Sequence, residues 1–403
     1  MSSSFPVELR ARRSQAGLSL GELAARTHYD RSHLHHVETG RRRATRPVAE
    51  ALDQALAADG QLLAAWEHDE RQRHEEAASR HTRAAALAVS QDMCALGDLG
   101  IDDLHDGAGE IAVDYLSTPP APMMGRAHAL RDEVLHRIRT GHHRPTDLAD
   151  LYVGAGRLSG VLAYALLDLG SPQEAMYHAE AAARCADRAG DANLAAWVAG
   201  TQSLIARFQG DFGNALALAQ GGLRWVGSGH GTGEARLRCG EAQCLANLGD
   251  SSGANRSLNA AEDARDRIRD TNDAPGLFGF SRAKQSYYAG SSLIWLDGGQ
   301  DAKRALREAS AAIDIWRSAP ARERSLDDER LAHVYIATAH AQLGDVEGAA
   351  EAVRPVLSLP AEDQISWIVK RMDRLAEMLS APRYRGNQTA AETTEAIRTL
   401  ATA

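Results

Sequence analysis

The chain has 403 residues and a formal net charge of −9. This length allows two or three domains, and an acidic balance taken alone argues against a nucleic-acid-binding protein. No apolar run approaches the ~20 residues that a membrane-spanning helix needs. Four cysteines without metal-ligand spacing, and no signal peptide, lead us to expect a soluble cytoplasmic protein without a metal or another cofactor.

The charge is unevenly distributed along the chain. Residues 1–46 hold nine arginines and four acidic residues, a net charge of +5, so the remaining residues carry −14. A basic N-terminus on an acidic body indicates that only the N-terminus meets nucleic acid, because a local cluster of cations attracts phosphate.

The first predicted elements are two short helices joined by a tight turn. Ser19 followed three residues later by Glu22 is a capping-box pattern, which predicts the start of the first helix. The turn is expected at residues 28–29. Asp30 is then placed to cap a second helix over residues 31–38.

The second helix is predicted to bury one face. Leu34 and Val37 lie three residues apart and face the core, and Gly40 ends the helix. All the side chains left exposed can form hydrogen bonds: Arg31, Ser32, His33, His35 and His36. A short helix with such a face fits the major groove of DNA, although it is also compatible with an ordinary solvated surface.

This region resembles the Cro/C1-type (XRE-like) helix-turn-helix family over roughly the first 65 residues. Residue types and spacing agree at the following positions: Gly17, Leu18, Ser19, Glu22, Leu23, Ala24, Leu34, Val37, Glu38 and Gly40. The resemblance implies an ion pair between the first helix and the end of the recognition helix, here Arg13 with Glu38.

The resemblance also implies that Arg31, Ser32 and His36 face base edges, with His33 or His35 at a phosphate or at the rim. A run of arginines follows the recognition helix and favours phosphate contact over a solvated loop. The predicted DNA-binding set is Ser19, Arg31, Ser32, His33, His35, His36, Arg41, Arg42, Arg43 and Arg46.

Two residues depart from the family pattern. Leu20 stands where the family usually has a glutamine that donates to a phosphate, so the arginine run carries more of the expected phosphate contact. His28 stands where the family's turn usually has glycine. A residue other than glycine is therefore asked to adopt a left-handed backbone conformation, which histidine tolerates better than most.

Four histidines between positions 28 and 36, followed by Glu38, raise the possibility of a metal site. Zinc ligands on one helix must share a face, at a spacing of three or four residues. His33 and His36 meet that condition, but no distal ligand is evident. We therefore predict no metal site.

From about residue 147 the chain repeats a pattern of amphipathic helix, small polar turn and alanine-rich helix. The turns contain glycines spaced 40, 39, 50 and 45 residues apart: Gly170, Gly210, Gly249, Gly299 and Gly344. Such units resemble degenerate tetratricopeptide (TPR-like) repeats. Because strand signals are almost absent, we predict an all-α chain: a helix-turn-helix domain (1–66), linking helices (67–145) and a TPR-like α-solenoid around a concave groove (146–403).

This combination resembles the TPR-containing transcriptional regulators of bacteria, and residues 52–66 resemble those of actinomycetes such as streptomycetes. In relatives of this layout the solenoid binds a signalling peptide, and ligand occupancy changes the affinity for DNA. The resemblance therefore implies a sensor for a signalling peptide or a small molecule.

Two segments of the body are candidate ligand sites. The glycine-rich segment 227–233 lacks the Lys-Ser/Thr ending and the preceding strand of a phosphate-binding loop, so it is interpreted as a connection. The segment 276–280 is followed by two tyrosines. The aromatic residues of the segment and the two tyrosines either line a ligand groove or fill the core: Phe278, Phe280, Tyr287 and Tyr288.

No catalytic constellation stands out, so an enzyme is not expected. The first hypothesis is a dimeric, sequence-specific regulator that binds an inverted repeat in double-stranded DNA, with the body mediating dimerisation and sensing. The second is a protein-interaction scaffold whose helix-turn-helix is vestigial or binds DNA non-specifically. The third is a repressor that needs no ligand.

Overall fold

The computed structural model describes residues 4–42, 44–69, 100–141, 143–227, 231–269, 273–296, 298–360 and 363–400. Every regular element in these ranges is helical, which confirms the predicted all-α fold. No helix of the described part combines the length and the apolar character needed to cross a membrane. The described residues fall into two compact units, the head (residues 4–69) and the body (residues 100–400).

The head is a bundle of short helices around one apolar core. Its helices are α1 (Phe5–Gln15), α2 (Leu20–Thr27), α3 (Arg31–Glu38), α4 (Arg46–Ala55) and α5 (residues 61–69). Fully or almost fully buried side chains from all five helices meet in this core, among them Leu9, Leu23, Leu34, Leu52 and Leu62.

Side-chain caps set the boundaries of α2 and α3. The Ser19 hydroxyl accepts from the Glu22 amide at 3.2 Å, and the Glu22 carboxylate accepts from the Ser19 amide at 2.7 Å, so the predicted capping box is confirmed. The Asp30 carboxylate accepts from the amides of Ser32 and His33 at the start of α3. The predicted span of the second helix is likewise confirmed.

The body consists of helices that pack in consecutive pairs. In chain order they are α6 (Ile101–Asp114), α7 (Pro120–Thr140), α8 (Pro145–Asp168), α9 (Pro172–Ala189), α10 (Ala192–Phe208), α11 (Phe212–Gly222), α12 (Gly233–Asn247), α13 (Ser251–Asp266), α14 (Arg282–Leu293), α15 (Gly299–Ser318), α16 (Leu326–Leu343), α17 (Val346–Leu357), α18 (Ser366–Leu379) and α19 (Gln388–Leu400). From α8 onward each even-numbered helix forms a hairpin with the helix that follows it.

Glycine followed by a capping residue makes most of the hairpin turns. Four of the five predicted turn glycines have φ between +83° and +84°, a conformation that glycine adopts without strain: Gly170, Gly210, Gly249 and Gly344. After the last three, an aspartate caps the next helix: Asp211, Asp250 and Asp345. The remaining predicted glycine, Gly299, is instead the first residue of α15, and its neighbour Gly298 precedes the helix with φ −85°.

Helices α6 and α7 belong to the body's core. Both pack against α8, and buried side chains such as Leu104 and Val134 share one cluster with Leu158 and Trp197. The part of the predicted linking region that the structure describes, residues 100–141 and 143–145, is thus packed into the body. Residues 70–99 of that region lie outside the described residues.

The first helices of the body's hairpins surround an enclosed space. The helical residues that line it come from α8, α10, α12, α14, α16 and α18. Helix α18 also reaches back to the earlier repeats: the Ser366 hydroxyl donates to the Leu167 carbonyl at 2.7 Å, and the rings of Trp367 and Phe208 are 4.8 Å apart. In this part of the body the helices thus surround a cavity, where the sequence predicted a concave groove.

Candidate nucleic-acid interface and inner cavity

The recognition-type helix α3 is held by its apolar side. Leu34 and Val37 are at most 1% exposed and pack in the head core with Leu23 of α2. This packing fixes the rotation of α3 about its axis, because both anchors lie on one side of the helix. The opposite side faces solvent.

The turn between α2 and α3 has the backbone expected of a helix-turn-helix. His28 has φ 58° and ψ 21°, the left-handed conformation that its position predicted. Leu20 is half-buried and packs against the head core.

An ion pair ties α1 to the end of α3. Arg13 donates to both carboxylate oxygens of Glu38, with Nε–Oε2 at 2.9 Å and Nη2–Oε1 at 2.6 Å, and to the Leu18 carbonyl at 2.7 Å. The side chains are 17% and 7% exposed. These hydrogen bonds to the Glu38 carboxylate raise the pKa of Arg13. A bidentate pair this protected from water orients α3 as well as stabilising it.

The outer face of α3 places three candidate side chains in solvent. Arg31, Ser32 and His35 are exposed. Within the described residues, the Arg31 guanidinium has no hydrogen bond or ion pair that would compete with a ligand. Arg31 and Ser32 stand at the N-terminal end of the helix, where base contacts are made in helix-turn-helix complexes.

His33 and His36 are half-buried on the same helix. The His33 ring stacks on Tyr29 at 5.7 Å between centroids, and Tyr29 packs against the head core. His33 therefore also has a packing role. Among the described residues, no group of three or more histidine, cysteine, aspartate or glutamate side chains could hold a metal ion.

The arginines after α3 differ in their partners. Arg41 and Arg42 are exposed, and their amides both donate to the His36 carbonyl in the turn that ends α3. Arg46 donates to Glu50 at 3.0 Å, so a phosphate would have to compete with this carboxylate. Arg43 lies outside the described residues.

Ser19 combines its cap with exposure to solvent. Its hydroxyl oxygen accepts from the Glu22 amide at 3.2 Å, and the residue as a whole is exposed. The hydrogen bonds from Ser19 lower the pKa of Glu22.

Residues 5–66 match the family model of a helix-turn-helix domain. The match covers the head and no part of the body. No curated protein matches the chain. The helix-turn-helix domain therefore rests on two agreeing observations, the family match and the geometry of α2, the His28 turn and α3.

The aromatic residues predicted as ligand-binding candidates separate into two groups. Phe278 packs against Trp197 at 4.5 Å between ring centroids, is 8% exposed, and lines a separate small cavity of about 70 Å³. Phe280, Tyr287 and Tyr288 line the enclosed space described above, although Phe280 and Tyr287 are themselves buried. The segment that carries Phe278 packs closely against α6, because a Cβ on Gly276 would lie 2.2 Å from the Ala112 carbonyl oxygen.

We call this enclosed space the inner cavity. It measures about 80 Å³. The polar side chains that line it include Tyr164, Asp168, Arg207, Arg236, Gln243 and Asp327. Neither arginine is among the site residues predicted from the sequence. Their signal is a cation inside an otherwise apolar helix pattern, as in Leu204-Ile205-Ala206-Arg207-Phe208.

Proposed function

We propose that this protein is a sequence-specific, dimeric DNA-binding transcriptional regulator, with a TPR-like body that senses a signalling peptide or a small molecule. The layout is that of the actinomycete regulators it resembles. The observation that carries the DNA-binding part is the exposed polar face of α3, which the helix-turn-helix geometry presents beside Arg41 and Arg42, two exposed arginines with no ion pair among the described residues. The net positive charge of the first 46 residues supports the same conclusion.

Each predicted contact has a physical role in this proposal. Arg31 reads a guanine edge with two donors, and Ser32 and His36 read neighbouring edges. Arg41, Arg42, Arg43 and Arg46 bind phosphates, and Ser19 and one of His33 and His35 add backbone contacts. One head covers few base pairs, so two heads on an inverted repeat, about one helical turn apart, supply the specificity.

A salt-dependent gel shift on DNA from the protein's own promoter region tests this function, with unrelated DNA as competitor. We expect specific binding that survives the competitor. Arg31→Ala is expected to lose about 1–3 kcal/mol of binding free energy at one base position. The matched control is Arg256→Ala, an exposed arginine on α13 of the body. If R31A bound operator and unrelated DNA as the wild type does, the base-reading role of α3 would be wrong.

The scaffold hypothesis predicts a different result in the same assay. Weak binding without sequence preference, lost at moderate salt, would favour a protein-interaction scaffold with a vestigial head. The inner cavity, which supplies a candidate ligand site within the body, favours the sensor over the repressor that needs no ligand.

A further inference from the structure

Two buried arginines of the inner cavity carry a charge that no described carboxylate neutralises. Arg207 on α10 is 8% exposed and Arg236 on α12 is 6% exposed. Within the described part of the chain, neither forms an ion pair. A cation removed from water without a counter-charge is costly, since neither hydration nor an anion stabilises it.

Arg236 is held in place by neutral oxygens. Its guanidinium donates to the Trp197 carbonyl and, at 3.0 Å each, to the hydroxyls of Tyr164 and Thr201. Helix α10 has a glycine opposite: a Cβ on Gly200 would lie 2.4 Å from Arg236 Nη1. The chain thus makes room for this cation and orients it.

Arg207 has no such support. Its Nε is buried and donates no hydrogen bond, and no described residue accepts one from the rest of its guanidinium. Its guanidinium carbon lies 6.0 Å from the centroid of the Tyr288 ring. A buried guanidinium that lines a cavity with its donors unused is short of an acceptor.

The acidic side chains of the same cavity are already satisfied. Asp168 accepts from the Tyr115 hydroxyl, Asp327 pairs with Arg330 at 2.7 Å, and Asp328 accepts from Ser325 at 2.7 Å. Burial raises the pKa of Asp168 well above its usual range, which favours its neutral form. What the cavity lacks is therefore an anion, not a cation.

Gln243 has the opposite deficit, because it carries an acceptor atom without a donor among the described residues. Its Nε2 donates to Ser291, while its buried Oε1 receives no hydrogen bond from a described residue. A hydroxyl or an amino group on the ligand would supply the missing donor. The ligand chemistry indicated is an anionic group next to a donor.

A larger cleft lies next to the inner cavity. A cleft of about 1200 Å³, which we call the outer cleft, shares Leu116, Gly279, Phe280 and Lys284 with the inner cavity. The inner cavity has room for several water molecules or for one carboxylate or phosphate group. The outer cleft can hold the remainder of a small molecule.

We propose that the inner cavity binds the carboxylate or phosphate group of a small molecule, with Arg207 and Arg236 as its cationic partners. The remainder of the molecule lies in the outer cleft. This assignment rests on the proposed sensing role of the body and names its ligand as a small anion rather than a long peptide.

Thermal unfolding of the full chain tests the site, with sodium phosphate or sodium acetate replacing sodium chloride at equal ionic strength and at millimolar anion. We expect one of the two anions to raise the Tm of the wild type by about 2 °C or more. The anion that acts identifies the phosphate or the carboxylate class. Arg207→Met is expected to abolish the rise while leaving the Tm in chloride equal or higher, because an uncompensated buried charge is removed.

Two variants control for general effects. Arg256→Met, on the surface of α13, should keep the full rise, and Arg207→Lys should keep part of it. An equal rise in R207M and wild type would indicate a general salt effect and overturn the proposal. No rise with either anion, or a lower Tm of R207M in chloride, would overturn it as well. Specific DNA binding in the gel shift is independent of these outcomes, so the site and the regulatory function can fail separately.

Discussion

The head and the body place arginine in opposite environments. Arg31, Arg41 and Arg42 of the head are exposed, whereas Arg207 and Arg236 of the body are buried. An exposed guanidinium stays hydrated at little cost and binds a polyanion through counterion release, which depends strongly on salt. A buried guanidinium has already lost its hydration, so one well-placed anion stabilises it with little screening.

Arg13 of the head is an arginine that is shielded from water and has acceptors for its hydrogen bonds. Its side chain is 17% exposed, and the fold supplies both oxygens of Glu38 and the Leu18 carbonyl. Arg207 is 8% exposed, yet no described residue of the body supplies it with an acceptor. The contrast indicates that Arg13 serves the fold, whereas Arg207 serves a molecule from outside the chain.

Glu38→Ala would convert Arg13 into an unpaired arginine like Arg207, and we expect the largest effect here. Removing one partner of a protected ion pair leaves the other charge uncompensated, so α3 should lose about 3 kcal/mol of local stability. Hydrogen exchange of the α3 amides measures this loss directly.

Glu50→Ala is the matched control in the same domain, because the Arg46–Glu50 side chains are 61% and 46% exposed. Its expected cost is about 0.5 kcal/mol. Equal effects of E38A and E50A would contradict the distinction between a protected and a solvated arginine.

In the body, the carboxyl group of Asp327 makes the stability of the fold depend on pH. Burial raises its pKa to about 6, partly offset by its hydrogen bond with Arg330. Because the folded pKa exceeds the unfolded value, the native chain binds the proton more tightly, and its stability falls as pH rises from about 4 to about 6. Asp327→Asn removes this penalty, so the variant should gain about 2 kcal/mol relative to wild type across that window.

Chemical unfolding of both proteins at a series of pH values checks this gain. Asp132→Asn serves as the control, since the Asp132 side chain is 68% exposed and stays hydrated when the chain folds; little change is expected at any pH. A difference between D327N and wild type that stays constant from pH 4 to pH 7 would argue against a desolvated Asp327.

The head was largely predictable because its signals are local. The capping box of Ser19 and Glu22, the Asp30 cap and the spacing of Leu34 and Val37 each act within four residues. Local hydrogen bonds and helix periodicity decide such features whatever the rest of the chain does. The turn glycines of the body were predictable for the same reason.

The inner cavity was not predictable, because it depends on contacts between distant residues. Arg236 meets Tyr164 across 72 positions, and Ser366 meets Leu167 across 199. No local pattern reports such pairings. The same holds for Phe278, whose burial against Trp197 depends on how the segment around Gly276 seats on α6.

The smallest effect is expected at the exposed arginines that follow α3. Arg41→Ala and Arg42→Ala should each weaken DNA binding by about 1 kcal/mol and lower the slope of log affinity against log salt by about 0.9. The loss should be uniform across sequences, because a phosphate contact carries no base information. Gel shifts at several salt concentrations, on operator and unrelated DNA, measure both quantities.

Arg46→Ala provides an internal comparison, since Glu50 already neutralises part of the Arg46 charge. The change in slope should therefore be smaller for this variant. Equal slopes for the wild type and the R41A/R42A double variant would remove this arginine pair from the interface and leave α3 as the main contact surface.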